Sequence, residues 1–559
     1  MSSLISCTAW VRRGVSAQHP QKYNLDEKEI ERVSAFTRTK LEDVKAQMEE
    51  AQKAAQSMGR GLEADETNEA GSDDDESAWV DEDDDAMDED SKPKPENQDD
   101  DLAQYNLDDY DKESASIATG PFSNIKGLTY YKDDEEDPYI TLKEDDEELE
   151  REELEIRPSD NLVVTAKTED DISKLEVYVY DETEENLYVH HDILLPTFPL
   201  CLEWLDFRAA SSSRDTDMVD DSKPQFGNYI AVGTFDPDIE IWSLDTVESV
   251  FPDFILGRPD KTAAHVPEAL GTGKKKKKKT KARLTSAQYH VDAVLSLSWN
   301  RAHRNLLASA SADKTVKLWD LNRDPTGNGD ENGALRSFDV HSDKVQAVQW
   351  NEKEPTVLLT GSYDRTVRTF DSRAPDAGLV AVVGSDVEAI RWDPWENHGF
   401  YVSLENGIVL NFDARTLPSS TNAPSQSRFM LAAHDGAASA LDVNPHIRGC
   451  IVTGGTDKMV KLWNVNNQVK DGKKDVSLAI SRDLEVGKVF SATFSPDDPL
   501  TIAVAGSKAK LQIWDASTNG GVRKTFESKI RESGRELKTK TGGGVVGLAS
   551  DDEESGEED

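Results

Sequence analysis

The sequence predicts an all-β chain: a closed, seven-bladed β-propeller with a helical N-terminal segment and acidic extensions that stay disordered. Three observations carry that expectation. Apolar and polar residues alternate with period two from Asn161 to about Asp515, as half-buried strands require. A four-part pattern of His, hydroxyl, Asp and aromatic residue recurs three times at fixed offsets. Weaker copies of the same strand texture bring the count to seven, and radial closure leaves only short, protected sheet edges.

The strict copies explain the residue types. His290, His341 and His434 each precede an aromatic residue, Trp319, Phe370 and Trp463, by 29 positions. Six positions before each aromatic stands Asp313, Asp364 or Asp457, and four before each Asp stands Ser309, Thr360 or Thr453. In a four-stranded unit the Asp lies in the tight turn between the second and third strands. It can accept a hydrogen bond from the His of the loop entering the first strand. The His can bond the hydroxyl, and the hydroxyl can accept from a Trp indole N–H. A shielded network of this kind fixes geometry only when every member is satisfied. Ser, His and Asp also form hydrolase triads, but three copies at one spacing, each ending in Trp or Phe and none in a G-x-S-x-G turn, read as fasteners. The endings SADKTVKLWD, GSYDRTVRTFD and GGTDKMVKLWN resemble the WD40 repeat, which implies four strands in about 40–45 residues.

The remaining units follow by texture. The seven are placed at roughly 158–183, 187–246, 287–321, 338–372, 383–415, 431–466 and 484–516. The first is short, and a strand from 122–131 or 138–142 is expected to complete a blade. The domain reading is therefore an N-terminal segment, 1–57, with an amphipathic helix over 24–57. An acidic, largely disordered stretch follows at 58–157. The propeller takes 158–516, with a basic insertion at 247–286, and a C-terminal tail takes 517–559. The helix is expected because Ile30, Val33, Leu41, Val44 and Met48 share one face and Asp26 can cap it. Between Ser72 and Asp90, 12 of 19 residues are acidic, too few apolar groups to offset the entropy of ordering.

Composition bounds the function. The 559 residues include 109 Asp+Glu against 64 Lys+Arg, a formal net charge of -45. That balance argues against a chain that wraps nucleic acid throughout and suits basic partners such as histones or ribosomal proteins. Cys7, Cys201 and Cys450 share no metal or disulfide spacing, no apolar run approaches a membrane span, and the N-terminus lacks a signal-peptide core. The expectation is a soluble intracellular protein without a cofactor, metal, small-molecule substrate or membrane. No HExxH, EF-hand or GxGxxG pattern appears, so no enzyme is expected.

Two surfaces remain as binding candidates. By register, the residue just inside each first strand points towards the mouth of the central channel: Leu200, Leu295, Gln346, Glu388, Ser439 and Phe490. Ala312, Tyr363 and Thr456, just before the turn Asp or its equivalent, and Lys344 at a strand entry ring the same surface. Tyr363 and Phe490 are the aromatic anchors. The basic run Lys274, Lys275, Lys276, Lys277, Lys278, Lys279, Lys281 and Arg283 reads as a nuclear localisation signal, with an RNA-backbone contact or a solvated loop as alternatives. A phosphate-binding loop is excluded because Glu268 stands where its first Gly belongs. Ser72, Ser550 and Ser555 each precede an acidic residue by three positions, a context for phosphorylation.

The N-terminal CTAWVRRG and KYNLDEKEIERV, the acidic stretch, the lysine run between early blades and the irregular Trp-ended repeats together resemble the periodic tryptophan protein 1 family. The resemblance spans nearly the whole chain and implies a nuclear and nucleolar scaffold in ribosome biogenesis. Its expected partners are ribosome-assembly factors, pre-ribosomal particles and rRNA. It also implies a link to chromatin, and a histone-tail adaptor is the alternative.

Overall fold

The computed structural model describes residues 3–23, 151–208, 226–257, 285–323, 333–470, 473–532 and 544–548. Seven four-stranded antiparallel sheets, each ordered from an inner to an outer strand, make up the propeller. The inner strands are Ser3–Val11, Pro199–Phe207, Val294–Trp299, Val345–Trp350, Val387–Trp392, Ala440–Val443 and Val489–Phe494. Each touches the inner strand of the next blade, and Ser3–Val11 touches Val489–Phe494, so the ring closes.

The closing strand differs from the expectation. Blade 1 is completed from the N-terminus, by Ser3–Val11 paired with Asn161–Glu169, with Ile172–Asp181 and Asn186–Leu195 outside it. The candidate segments 122–131 and 138–142 lie outside the described residues, as do the helix expected over 24–57 and the acidic run. Asn186–Leu195 belongs to blade 1 rather than blade 2. The reason is visible in the strand itself: Trp10, 8 % exposed, takes the buried place that Trp204, Trp299, Trp350 and Trp392 take in blades 2 to 5.

Three boundaries shift for the same kind of reason, apolar residues finding a sheet. Ile156, inside the stretch expected to be acidic and unfolded, is buried against blades 1 and 2. Phe254–Leu256, inside the expected insertion, is the outer strand of blade 2. The expected tail contributes both the helix Gly520–Glu532, which buries Val522, Phe526 and Ile530, and the outer strand of blade 7, Val545–Gly547.

Residues 17–22 and Ile156 are tied to one another and to the end of the third strand of blade 2. Gln21–Lys22 pairs in parallel with Thr246–Val247, the Ala17 N–H donates to Asp245, and the Ile156 N–H donates to the Gln18 carbonyl. Among the described residues no helix is long and apolar enough to cross a membrane.

Candidate functional site

Each blade places two turns on one face, here the upper face: the loop into its inner strand and the turn between its second and third strands. The three strict patterns meet there. His290 Nδ1 lies 2.9 Å from Asp313 Oδ2 and its Nε2 lies 2.7 Å from Ser309 Oγ. Trp319 Nε1 donates to Ser309 Oγ at 2.8 Å. Blade 6 repeats this with His434, Asp457, Thr453 and Trp463 at 2.9–3.0 Å. In blade 4, His341 bonds Asp364 at 3.0 Å and Thr360 at 2.8 Å, but Phe370 has no N–H to offer. Thr360 Oγ1 there reaches the Arg368 carbonyl at 3.4 Å instead.

Electrostatics agrees with a fastening role. Burial pushes the His290 and His434 pKa values down, so both rings are held neutral. Burial alone would raise the Asp313 carboxyl, yet the bonds from His290 and Thr315 outweigh it and hold it at about 2. His290 and Ser309 are 0 % exposed, so the hydroxyl cannot meet a substrate. The clasp is closed to chemistry. Among the described residues no group of three or more His, Cys, Asp or Glu side chains is placed to hold a metal.

The expected mouth residues share one structural position. Leu200, Leu295, Gln346, Glu388 and Phe490 each occupy the unpaired place where the inner strand slips register against its neighbour, a β-bulge four residues before the buried aromatic. Ser6 occupies the same place in blade 1, and Ser439 stands just before its strand in blade 6. All are half-buried. A bulge re-aims its side chain, and the seven positions together make the inner rim.

A second ring surrounds it. The N–H of the residue before each turn donates to the strand-entry carbonyl: Phe235 to Phe198, Ala312 to Ala293, Tyr363 to Lys344, Glu405 to Asp386, Thr456 to Ala437 and Ser507 to Lys488, at 2.9–3.1 Å. Phe235 is the functional candidate that the sequence reading missed. It is 59 % exposed and packs on Phe198 with ring centroids 5.3 Å apart. The signal was its place in TFDPD, which aligns with SADK and SYDR although blade 2 lacks the His clasp.

The rim is polarised. Burial, and then the neighbouring Glu388, Asp386 and Glu405, raise the Tyr363 phenol; Glu388 is raised by its own burial and by Glu405 and Asp386. Arg365 pairs with Asp386 at 3.2 Å, leaving Glu388 and Glu405 beside an aromatic ring. Lys344 is exposed on the same edge. The basic run Lys274 to Arg283 lies outside the described residues, as do Ser72, Ser550 and Ser555.

Deeper in the channel wall a polar side chain on each of four inner strands reaches the next blade. Glu203 accepts from the Trp299 N–H at 3.1 Å, Ser298 from Trp350 at 3.1 Å, Gln349 from Trp392 at 2.7 Å and Asp442 from Phe494 at 2.9 Å. Asn300, Asn351 and Asn444 add a second stitch, donating to Pro355, Asn397 and Pro499 carbonyls of the following blades. These links make the ring one rigid platform for the rim.

The family described as WD domain, G-beta repeat, matches residues 282–320, 333–371 and 425–464, the three clasped blades. The chain is 42 % identical over 537 residues to an uncharacterized WD repeat-containing protein of Schizosaccharomyces pombe, covering 95 % of this chain and 92 % of that one. It is 36 % identical to Periodic tryptophan protein 1 of Saccharomyces cerevisiae, over 94 % of this chain and 90 % of the relative. A Drosophila melanogaster homolog of that protein is 28 % identical over 93 % of this chain and 96 % of its own length.

Proposed function

Since this chain belongs to the periodic tryptophan protein 1 family of WD40-repeat proteins, we propose that it is a non-catalytic scaffold in ribosome biogenesis. Its propeller supports large-subunit assembly and rRNA processing by holding assembly factors and pre-ribosomal RNA, in the nucleus and nucleolus. The observation that carries the reading is the upper rim: a rigid ring that presents Tyr363, Phe490 and Phe235 while every clasp hydroxyl is sealed. Aromatic anchors on a fixed surface suit macromolecular recognition. The blade 5 carboxylates Glu388 and Glu405 beside Tyr363 suit basic clients, which ribosomal proteins and histone tails both are.

The test is affinity purification from nuclear extract with and without RNase, reading protein and RNA together. Recovery of large-subunit precursors and assembly factors, with the RNA-bridged share lost on RNase, is the expected result. Capture of histone-tail peptides with no pre-ribosomal material would replace this reading with the chromatin adaptor.

A further inference from the structure

A polar cavity of about 60 Å³ lies on the lower face, opposite the rim, where blades 3 and 4 meet. Glu203, Ser298 and Gln349 line it from the inner strands of blades 2, 3 and 4, and Trp350 lines it from the end of the blade 4 strand. Arg301 and Glu352, on the loops that follow these strands, pair at 3.6 Å with side chains about half exposed, so the cavity meets solvent beside them. The space suits one small side chain, since a single water needs about 10–15 Å³ of it.

The inter-blade stitches use only part of each lining group. Glu203 Oε1 accepts the Trp299 N–H, and Oε2 has no hydrogen-bond partner among the described residues. Gln349 Oε1 accepts the Trp392 N–H, which fixes the amide and leaves its N–H2 without an acceptor among the described residues. Trp350 is 4 % exposed, and its Nε1 has no acceptor among them either. The cause is local. Trp299 Nε1 donates to the carbonyl five residues on, that of Arg304, at 2.8 Å. The residue five on from Trp350 is Pro355, whose carbonyl instead takes the Asn300 side chain of blade 3 at 2.7 Å. A buried donor without an acceptor is a cost that a ligand can relieve. Trp392 is left in the same state, with its Asn397 carbonyl taken by Asn351, but Trp392 does not line the cavity.

These groups select the ligand. Two donors, Gln349 Nε2 and Trp350 Nε1, stand with one acceptor, Glu203 Oε2. A carboxylate would be repelled by Glu203. A cation would use neither donor, and Arg301 and Arg391 already act on the Glu203 carboxylate. A primary amide answers all three, its carbonyl taking the donors and its N–H2 the acceptor. We infer that this cavity binds a primary amide, the side chain of an Asn or Gln carried by a partner protein, on the face opposite the rim.

The experiment uses the full-length chain labelled with 5-fluorotryptophan and read by fluorine NMR. Trp350→Phe and Trp392→Phe identify those two resonances among the 11 tryptophans. Propionamide is the probe, titrated beside propionate, methylguanidinium and uridine. Propionamide should shift the Trp350 resonance saturably, with a Kd on the order of 10 mM for so small a ligand, and leave Trp392 in place. The other three compounds should move neither. Glu203→Gln keeps the bond from the Trp299 N–H but turns a donor towards the ligand. Gln349→Glu keeps the bond from the Trp392 N–H but turns an acceptor towards it. Each should weaken propionamide about tenfold, with the remaining resonances reporting an intact fold, and either serves if the other unfolds. The inference is overturned by a Trp350 resonance that propionamide does not move, or that propionate, methylguanidinium or uridine moves equally. Propionamide binding that neither substitution weakens overturns it too.

Discussion

Blades 3, 4 and 6 and the seam between blades 7 and 1 are held by different means. The clasped blades are pinned internally: His290, His341 and His434 each tie a loop, a strand and a turn of one sheet with bonds of 2.7–3.0 Å. The seam has no His clasp and is pinned across blades. Thr8 and Ser491 hydroxyls meet at 2.8 Å, Trp10 Nε1 donates to the Thr493 carbonyl at 3.2 Å, and Arg13 binds Asp498 at 2.7 Å and Glu182 at 3.0 Å. Residues at the start of the chain thus hold residues almost 490 positions away. A clasped blade can order locally, whereas the seam exists only once the whole ring is present.

That contrast can be broken at either end. The largest effect is expected from Trp10→Ala, which opens a buried cavity and removes the bond to Thr493. A loss of about 3–5 kcal/mol should appear as a lower denaturation midpoint. A loss below about 1 kcal/mol would mean that the N-terminal strand does not close the ring. Next comes Asp313→Ala, which strands His290 and should cost about 1–3 kcal/mol, measured the same way. At the small end, Arg365→Ala breaks an exposed ion pair with Asp386 and should shift stability by about 0–1 kcal/mol.

Acid should act on the clasps with a defined sign. His290 and His434 titrate below the usual imidazole range when folded, so the unfolded chain binds more protons as pH falls past about 6.5, and stability falls with it. The depressed Asp313 adds a second loss as pH drops from about 4 towards 2. Thermal melts of a His290→Gln, His434→Gln variant should show a flatter decline between pH 7 and 5 than the unmodified chain. An unchanged slope would place the sensitivity elsewhere.

The clasps were legible because all four parts fall within 29 residues and hairpin geometry fixes their spacing. The bulge positions were legible as a register argument, though not as bulges. The closing strand was not, because about 150 residues separate Ser3–Val11 from the strand it pairs with. The inter-blade stitches were hidden for another reason. Glu203, Ser298, Gln349, Arg391 and Asp442 share a place three residues after Leu200, Leu295, Gln346, Glu388 and Ser439 on the inner strands, but no common chemistry. Phe235 was missed because blade 2 lacks the His clasp: Trp242, at the place of Trp319, donates to Glu240 at 3.3 Å instead.

On the function proposed above, the rim grips partners while the clasps only hold the ring. Its most direct test is recovery of pre-ribosomal particles by a Tyr363→Ala, Phe490→Ala chain beside an Asp313→Ala chain, both assayed well below their melting temperatures. The rim variant should melt close to the unmodified chain yet lose its particles, and the clasp variant should melt early yet keep them. Particles lost from the clasp variant and retained by the rim variant would contradict the claim.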